Sequence, residues 1–254
     1  MRKFLLLLCA SVCLGGQAPA LAASAPANLP VYYVGTREPL IALTFDVSWG
    51  ERELPLVVAV LRASHAPATF FLSGPWAKSH PVAVESLIAD GFEIASHGQA
   101  HVNLGGLGDA AITANISAAD EILRGYTQKP LRFFRPPNGD FSPRSVAVAR
   151  GLGYETVLWS VDSRDWMNPG VQAITSRVLR DVFPGAIVLL HASDTCKQTD
   201  LALPAILAGL RDRGYQLVTL GQLWAMGPAM HDDPRGSGRR PNTKGSGTAS
   251  GQPA

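Results

Sequence analysis

The stretch "AIVLLH", residues 186–191, places five apolar residues in a row before a histidine. A continuous apolar run of this length predicts a strand that is covered on both faces, as strands of parallel sheets are. Parallel sheets need helices between successive strands and over their faces. The stretch therefore indicates a parallel sheet within an α/β fold.

The sequence on both sides of this stretch alternates strand-like and helix-like segments. The predicted strands are Ile41–Phe45, Thr69–Leu72, Glu93–Ser96, Arg132–Arg135, Thr156–Val161, Ala186–His191 and Gln216–Leu220. The predicted helices are Glu51–Ser64, Pro81–Asp90, Asp109–Leu123, Pro143–Gly151, Val171–Val182 and Leu201–Arg213. A repeated βα pattern of this kind predicts a parallel sheet that is either closed into a barrel or open and doubly wound.

The N-terminus has the pattern of a secretory signal peptide over residues 1–22, with Arg2 and Lys3 before an apolar run and small residues up to Ala22. The alternative is a membrane anchor. The run from Phe4 to Leu14 is shorter than the ~20 apolar residues that span a bilayer, so we expect cleavage near Ala22, export, and no stable membrane span.

Composition bounds the rest of the chain. At 254 residues and 46% hydrophobic content, the protein is long enough to bury a core. A net charge of +2, without an arginine-rich stripe, argues against a nucleic-acid partner. We expect an N-terminal extension over residues 23–37, a folded domain over 38–225 and a disordered Gly/Ser/Pro-rich tail over 228–254. The sequence does not indicate an oligomeric state.

Polar residues follow several predicted strands at the end where the active sites of parallel α/β proteins form. They are Asp46, His97, His101, Arg135, Asp162, Asp165 and His191. Because all of them fall on one rim of the sheet, we expect them to meet in one cleft. The single cysteine beyond the signal, Cys196, is interpreted as a small buried filler and not as a nucleophile.

Each of these residues also has a structural interpretation. The four-residue spacing of His97 and His101 would place both imidazoles on one side of a helical turn and suits zinc, although both could be ordinary polar loop residues. Asp46 could act as a general base, or the "DVSWGE" stretch could simply begin a helix, with Ser48 and Glu51 as a capping box.

Arg135 and His191 are equally open. Arg135 could brace the rigid turn of "RPPNG", or its guanidinium could hold a carboxylate such as Asp46 ionised and in place. His191 could be a core histidine, or a general acid kept protonated by Asp165.

With these residues assembled, the sequence resembles the polysaccharide deacetylase family, also called NodB-homology or carbohydrate esterase family four. The resemblance covers roughly residues 38–225 and rests on five ordered motifs, "TFDVS", "SHGQAH", "RPPNG", "DSRDW" and "IVLLH". It implies a distorted (β/α)7 barrel and metal-dependent removal of acetyl groups from acetylated sugars. The strings "ALTFDVSWGE" and "WSVDSRDW" most resemble the sporulation-associated subgroup.

The resemblance also implies a role for six of the rim residues. Asp46 would be the catalytic base, oriented by Arg135, and His97 and His101 would be metal ligands. His191, tuned by Asp165, would protonate the leaving amine.

Three further residues would contact the substrate. The resemblance implies that the backbone N–H of Asn138 holds the oxyanion, and that Trp166 and Leu189 line the acetyl pocket.

Position 47 departs from the family pattern, which has a second acid there as the third metal ligand. Val47 cannot bind a metal, so water or another side chain would complete the shell, Asp46 would move onto the metal, or the metal would be lost. We therefore expect an exported deacetylase of N-acetylated polysaccharide with a divalent metal, zinc in the first instance. The alternative is a catalytically impaired family member that binds glycan.

Overall fold

A curled parallel sheet forms the centre of the computed structural model, which describes residues 28–128 and 130–236. Its strands, numbered with two short outlying ones in chain order, are β1 (Tyr33–Val34), β2 (Leu40–Val47), β3 (Thr69–Leu72), β4 (Glu93–Ser96), β5 (Phe133–Phe134), β6 (Glu155–Thr156), β7 (Val161–Asp162), β8 (Ile187–His191), β9 (Gln216–Val218) and β10 (Ala229–Met230). Seven strands run in the order β6, β5, β4, β3, β2, β8, β7, and β9 pairs with β2 beside them. All of these pairings are parallel.

Helices connect the strands and cover the sheet. They are α1 (Glu53–Ala63), α2 (Gly74–Ser79), α3 (Pro81–Ala89), α4 (Asp109–Thr127), α5 (Pro143–Gly151), α6 (Val171–Asp181), α7 (Thr199–Asp212) and α8 (Leu220–Trp224). The strands read as apolar runs because both faces are covered, and every residue of β2 and β3 is buried. The expected distorted (β/α)7 barrel is confirmed. Within the described residues, no helix has the length and apolar character needed to cross a bilayer.

The predicted strand Thr156–Val161 is wrong, because the chain breaks there into β6 and β7. These two strands lie at opposite ends of the sheet order, and residues 157–160 pass from one end to the other. The Val157 N–H still donates to Phe134 O at 2.9 Å, whereas the Ser160 N–H donates to Ile187 O at 3.0 Å. The segment thus carries the chain across the gap of the curled sheet.

The predicted boundaries of the folded domain are too narrow. Val31 forms a bridge to Val157, and β1 pairs antiparallel with β10, which lies inside the expected disordered tail. Pro234–Gly236 then forms a 3₁₀ turn, so the tail is ordered as far as residue 236. The side chains of Tyr33 and Val34 are buried in the main core, which explains why β1 and β10 pair here. The expected signal over residues 1–22 and the last part of the tail, from residue 237, lie outside the described residues.

The expected capping box of Ser48 and Glu51 is also wrong. No side chain of the flanking residues caps α1. The carboxylate of Asp194, in the loop after β8, instead accepts the backbone N–H groups of Glu51, Arg52 and Glu53 at 3.3, 2.8 and 2.9 Å. Gly50 has a φ of +78°, and a Cβ there would lie 2.0 Å from Asp194 Cγ. The loop after β2 therefore depends on a residue more than 140 positions away.

Replacing this cap should destabilise the protein. Asp194→Ala leaves to water three N–H groups, those of Glu51 and Arg52 just before α1 and that of Glu53 at its first residue, and we expect a loss of about 1 kcal/mol in the free energy of unfolding. Urea unfolding measured by circular dichroism gives this value. Glu121→Ala, which removes the same charge from an exposed position of α4, is the matched control. Equal stability of the two variants would contradict the assigned cap.

Candidate active site

The catalytic rim lies at the C-terminal ends of the parallel strands, as the sequence predicted. Asp46 in β2 is the direct register partner of His191 in β8. The two side chains line one cavity of about 530 Å³ together with His97, His101, Asn138, Trp166 and Leu189. All seven residues therefore meet in one place. The two remaining predicted residues, Arg135 and Asp165, lie behind this wall and are fully buried.

Arg135 fixes Asp46 from the inside of the barrel. Its Nη1 donates to Asp46 Oδ1 at 2.8 Å, and its Nη2 donates to Thr44 Oγ1 at 2.9 Å and to Leu158 O at 3.0 Å. Burial by itself would raise the pKa of the Asp46 carboxyl, but the positive charge of Arg135 leads the opposing effects and lowers the pKa below its ordinary value. Asp46 is therefore ionised at neutral pH.

Asp165 holds His191 in the same way on the next strand. His191 Nδ1 donates to Asp165 Oδ1 at 2.7 Å, and the His191 backbone N–H donates to Oδ2 at 2.7 Å. Burial would lower the pKa of His191, but the charge of Asp165 and this hydrogen bond raise it above its ordinary value. The imidazole is thus favoured in its protonated form and can serve as an acid.

His97 and His101 do approach each other, but not by the predicted helical turn. Residues 97–101 form an irregular loop after β4, and Gly98 bends it with a φ of +79°. The two rings lie 5.4 Å apart between centroids. His97 Nδ1 donates to Arg135 O at 2.9 Å, and its Nε2 lies 3.7 Å from Asp46 Oδ2. The four-residue spacing predicted that the two rings lie close together. A bend at Gly98, and not a helical turn, brings them together.

These residues fit a divalent cation. The bond from His97 Nδ1 to a carbonyl leaves Nε2 unprotonated toward the cavity, which is the arrangement that metal-binding imidazoles show. Burial lowers the pKa of His97 to about 4, so the ring is neutral at neutral pH. Asp46 Oδ2 lies 3.7 Å from the same nitrogen, but a carboxylate that binds the cation is no longer a free base, so the two imidazoles are the protein ligands assigned here. Val47 offers no ligand atom, because it is buried in the hydrophobic core and does not line the cavity.

Sequence reasoning missed Trp49, which shapes the mouth of the cavity. Its side chain is 49% exposed, yet its ring lies 4.6 Å from the His101 ring. The neighbouring backbone is held by Ser193, whose Oγ accepts the Ser48 N–H at 2.9 Å. Trp166 is 53% exposed and also lines the cavity. An exposed tryptophan directly after a catalytic strand was the available signal.

Cys196 is buried, as expected, but it is also part of the cavity wall. Its thiol, the Asp165 carboxylate and the His191 imidazole each offer one ligand atom within 4.8 Å of the others. Burial raises the pKa of the Cys196 thiol to about 12, which agrees with the expectation that it is no nucleophile.

Comparison with known proteins identifies the family. The sequence model of polysaccharide deacetylase matches residues 33–157. A peptidoglycan-N-acetylglucosamine deacetylase of Bacillus cereus is 35% identical over 201 residues, which are 78% of this chain and 94% of the relative. The chain belongs to the polysaccharide deacetylase family. A second member, a chitooligosaccharide deacetylase of Sinorhizobium fredii, is 35% identical over 202 residues, 74% of this chain and 93% of that one.

Solved structures of the family agree with the fold. A family-four pseudoenzyme of Bacillus anthracis superposes with a TM-score of 0.72 at 29% identity, covering 76% of this chain and 68% of that one. A mutant of it with restored enzymatic activity superposes with the same TM-score at 30% identity, covering 76% and 70%. Membership of the sporulation-associated subgroup stays a prediction.

Metal binding is the most direct test of the histidine pair. We expect the wild-type chain to bind its first, tightest zinc ion at this pair, and His97→Ala/His101→Ala to bind that ion at least ~100-fold more weakly, since even the loss of an outer partner costs up to that factor. Isothermal titration calorimetry measures both. His80→Ala, which removes an imidazole outside the cavity, is the control. Unchanged zinc affinity in the double variant would exclude this pair as the ligands.

Proposed function

We propose that this family member removes acetyl groups from an N-acetylated polysaccharide, peptidoglycan or a chitin-like glycan, in the cell envelope after export. The observation that carries the proposal is the pairing of Asp46 and His191 at the same register of neighbouring strands. Each has its own buried partner, and the two partners bias the two groups toward opposite protonation states. A general base and a general acid on either side of one reacting group are what amide hydrolysis requires.

The chain's own residues account for the proton transfers. The Asp46 carboxylate, held by Arg135, accepts the proton of the attacking water as that water adds to the acetamide carbonyl. His191, held by Asp165, then protonates the amine nitrogen as its bond to the acetyl carbon breaks. The Asn138 N–H is assigned to the developing oxyanion. A divalent cation at His97 and His101, zinc in our proposal, supplies Lewis-acid polarisation when bound.

The shape of the cavity supports a sugar polymer as substrate. Trp49 and Trp166 are both about half exposed and both line the cavity. Exposed indole rings combine an apolar face with a polar edge, which suits the faces of sugar rings. Buried Leu189 lines the same cavity and is assigned, with Trp166, to the acetyl group. The named relatives act on peptidoglycan N-acetylglucosamine and on chitooligosaccharides, which are substrates of this class.

Export is a further part of the proposal and rests on the sequence of residues 1–22. N-terminal sequencing of the protein recovered from the envelope fraction tests it. A chain that keeps Met1 would contradict cleavage.

Acetate release tests the activity itself. The purified chain is incubated with an N-acetylglucosamine oligomer before chelation, after chelation and after zinc is restored. Release that chelation removes and zinc restores is the expected result. Zinc binding without acetate release under any condition would overturn the proposal.

A second function is favoured by one observation, the loss of the carboxylate at position 47. Val47 is buried in the core, and a family-four pseudoenzyme is among the structural neighbours. A glycan-binding protein without turnover is the corresponding alternative. Calorimetric binding of the oligomer in the absence of acetate release would favour it over the hydrolase.

The dependence of turnover on pH should reveal the protonation states of the base Asp46 and the acid His191. Activity requires Asp46 ionised and His191 protonated, so the lowered pKa of Asp46 extends the active range on the acidic side and the raised pKa of His191 extends it on the alkaline side. Asp165→Asn removes the charge that keeps His191 protonated. We expect its alkaline limb to move to lower pH and turnover to fall about 10²–10⁴-fold.

Asp162→Asn is the matched control for this variant, because it removes a carboxylate that lines the same cavity but bonds to the Arg164 N–H. Profiles of kcat against pH for the two variants decide the matter. If Asp162→Asn moved the alkaline limb of the profile as far as Asp165→Asn does, that result would contradict the assignment of His191 as the general acid.

Replacing Trp49 should lower kcat/KM more for long oligomers than for short substrates. We expect Trp49→Ala to lower kcat/KM about 3–10-fold for a long oligomer, the value of one aromatic contact, and less for a disaccharide. Trp49→Phe should retain the difference between the two substrates. Because Trp49 contacts His101, zinc content is measured in parallel. Equal losses for both substrate lengths would exclude a sugar contact.

A further inference from the structure

Cys196 lies beside the catalytic acid, where the proposed reaction has no use for a thiol. Its side chain is 1% exposed and belongs to the wall of the cavity. The backbone places it there, since the Cys196 N–H donates to Ser193 O at 2.9 Å. Its Sγ contacts only its neighbour, Thr195 Oγ1, at 3.7 Å among the described hydrogen bonds. The sulfur is therefore held in position without a strong partner.

We propose that Asp165, His191 and Cys196 form a second cation site, which takes a soft divalent ion such as zinc or cadmium and thereby blocks the general acid. One ligand atom from each residue lies within 4.8 Å of the others. Carboxylate, imidazole and thiolate are the donors that zinc selects, at bond lengths of about 2.0–2.3 Å. Bonds of that length around a tetrahedral ion leave ligand atoms about 3.3–3.8 Å apart. His191 Nδ1 and Asp165 Oδ1, which are 2.7 Å apart in their hydrogen bond, therefore move apart slightly when an ion binds, and the Cys196 sulfur lies within reach of both.

The carboxylate of this cluster is already oriented as a metal ligand would be. Asp165 is fully buried, and its Oδ2 accepts the hydroxyl of Thr199 at 2.8 Å. Its Oδ1 accepts the Trp166 N–H at 2.8 Å. Outer hydrogen bonds of this kind fix ligand orientation and raise metal affinity. His191 and Cys196 both face the cavity, which gives an ion its entry path and a fourth position for water.

Binding at this site exchanges protons for the ion. The cation takes the place of the proton that His191 Nδ1 shares with Asp165 Oδ1, and the Cys196 thiol loses its proton to form the metal–sulfur bond. Two protons leave when the imidazole begins as imidazolium, and no electron is transferred. The proton that remains on His191 Nε2 then belongs to a neutral imidazole, and because giving it to the leaving amine would leave an imidazolate, His191 is a far weaker acid than the imidazolium was. Metal at His97 and His101 thus supports turnover, whereas metal at the second site stops it.

Cadmium is the probe, because a cadmium–thiolate bond absorbs in the ultraviolet and a bond to imidazole or carboxylate does not. The full-length chain with Cys9→Ser and Cys13→Ser, in which Cys196 is the single remaining cysteine and which serves as the reference called wild type in this titration, is titrated with cadmium chloride. We expect the absorption to appear and saturate in the wild type and in His101→Ala, and to be missing in Cys196→Ala and Cys196→Ser. Thr199→Val should weaken cadmium about 10-fold, as loss of an outer hydrogen bond does.

Absence of the band in the wild type overturns the site. With Cys9 and Cys13 replaced, a band of equal size in the two Cys196 variants would not come from a cysteine thiolate and would overturn the site as well. Circular dichroism checks that both variants are folded. If Cys196→Ala and Cys196→Ser both lack the band, a packing defect caused by one particular replacement does not explain its loss.

Acetate release tests the inhibitory role, which rests on the proposed function. Zinc beyond one equivalent should inhibit the wild type and leave Cys196→Ala active. Equal inhibition of the two would refute the inhibitory role. If no chain releases acetate, the proposed function fails, while the cadmium titration still decides whether the site exists.

Discussion

The buried ion pair of Arg135 and Asp46 is the constraint on which the site depends. A guanidinium without exposure to water is stable only when its donors are satisfied, and here they reach four acceptors. The acceptors are Asp46 Oδ1, Thr44 Oγ1, Val157 O and Leu158 O. Its charged plane also lies 4.0 Å from the centre of the Phe71 ring. One side chain therefore joins β2 to the segment that crosses the gap of the sheet.

The same residue governs the metal side of the cavity. The Arg135 carbonyl accepts His97 Nδ1, which sets the tautomer of that ring and turns Nε2 toward Asp46. Across the cavity, Asp165 does for His191 what Arg135 does for Asp46. Two buried charges of opposite sign thus favour an ionised carboxylate and a protonated imidazole on adjacent strands, which pair directly in the sheet. The absence of a metal ligand at Val47 leaves both pairs intact, that of Arg135 with Asp46 and that of Asp165 with His191.

The sequence predicted most of the sheet and the composition of the site. β3 and β4 have the predicted bounds because their apolar runs are continuous and end at polar residues. The rim was predictable because each polar residue follows its own strand. The predictions that were wrong concern features that depend on contacts between segments distant in sequence. The cap of α1 comes from Asp194, and the break between β6 and β7 depends on sheet closure, and neither leaves a local signal. The cavity position of Cys196 is likewise set by the turn after β8.

The most direct test of the central claim is turnover of Asp46→Asn at matched zinc content, measured as acetate release from an N-acetylglucosamine oligomer. The amide keeps an oxygen for Arg135 to bond, so the fold is retained, but it cannot accept the proton of the attacking water. We predict a loss of about 10²–10⁴-fold in kcat, the usual contribution of a general base. Turnover equal to that of the wild type would contradict the account, because the buried pair would then serve structure alone.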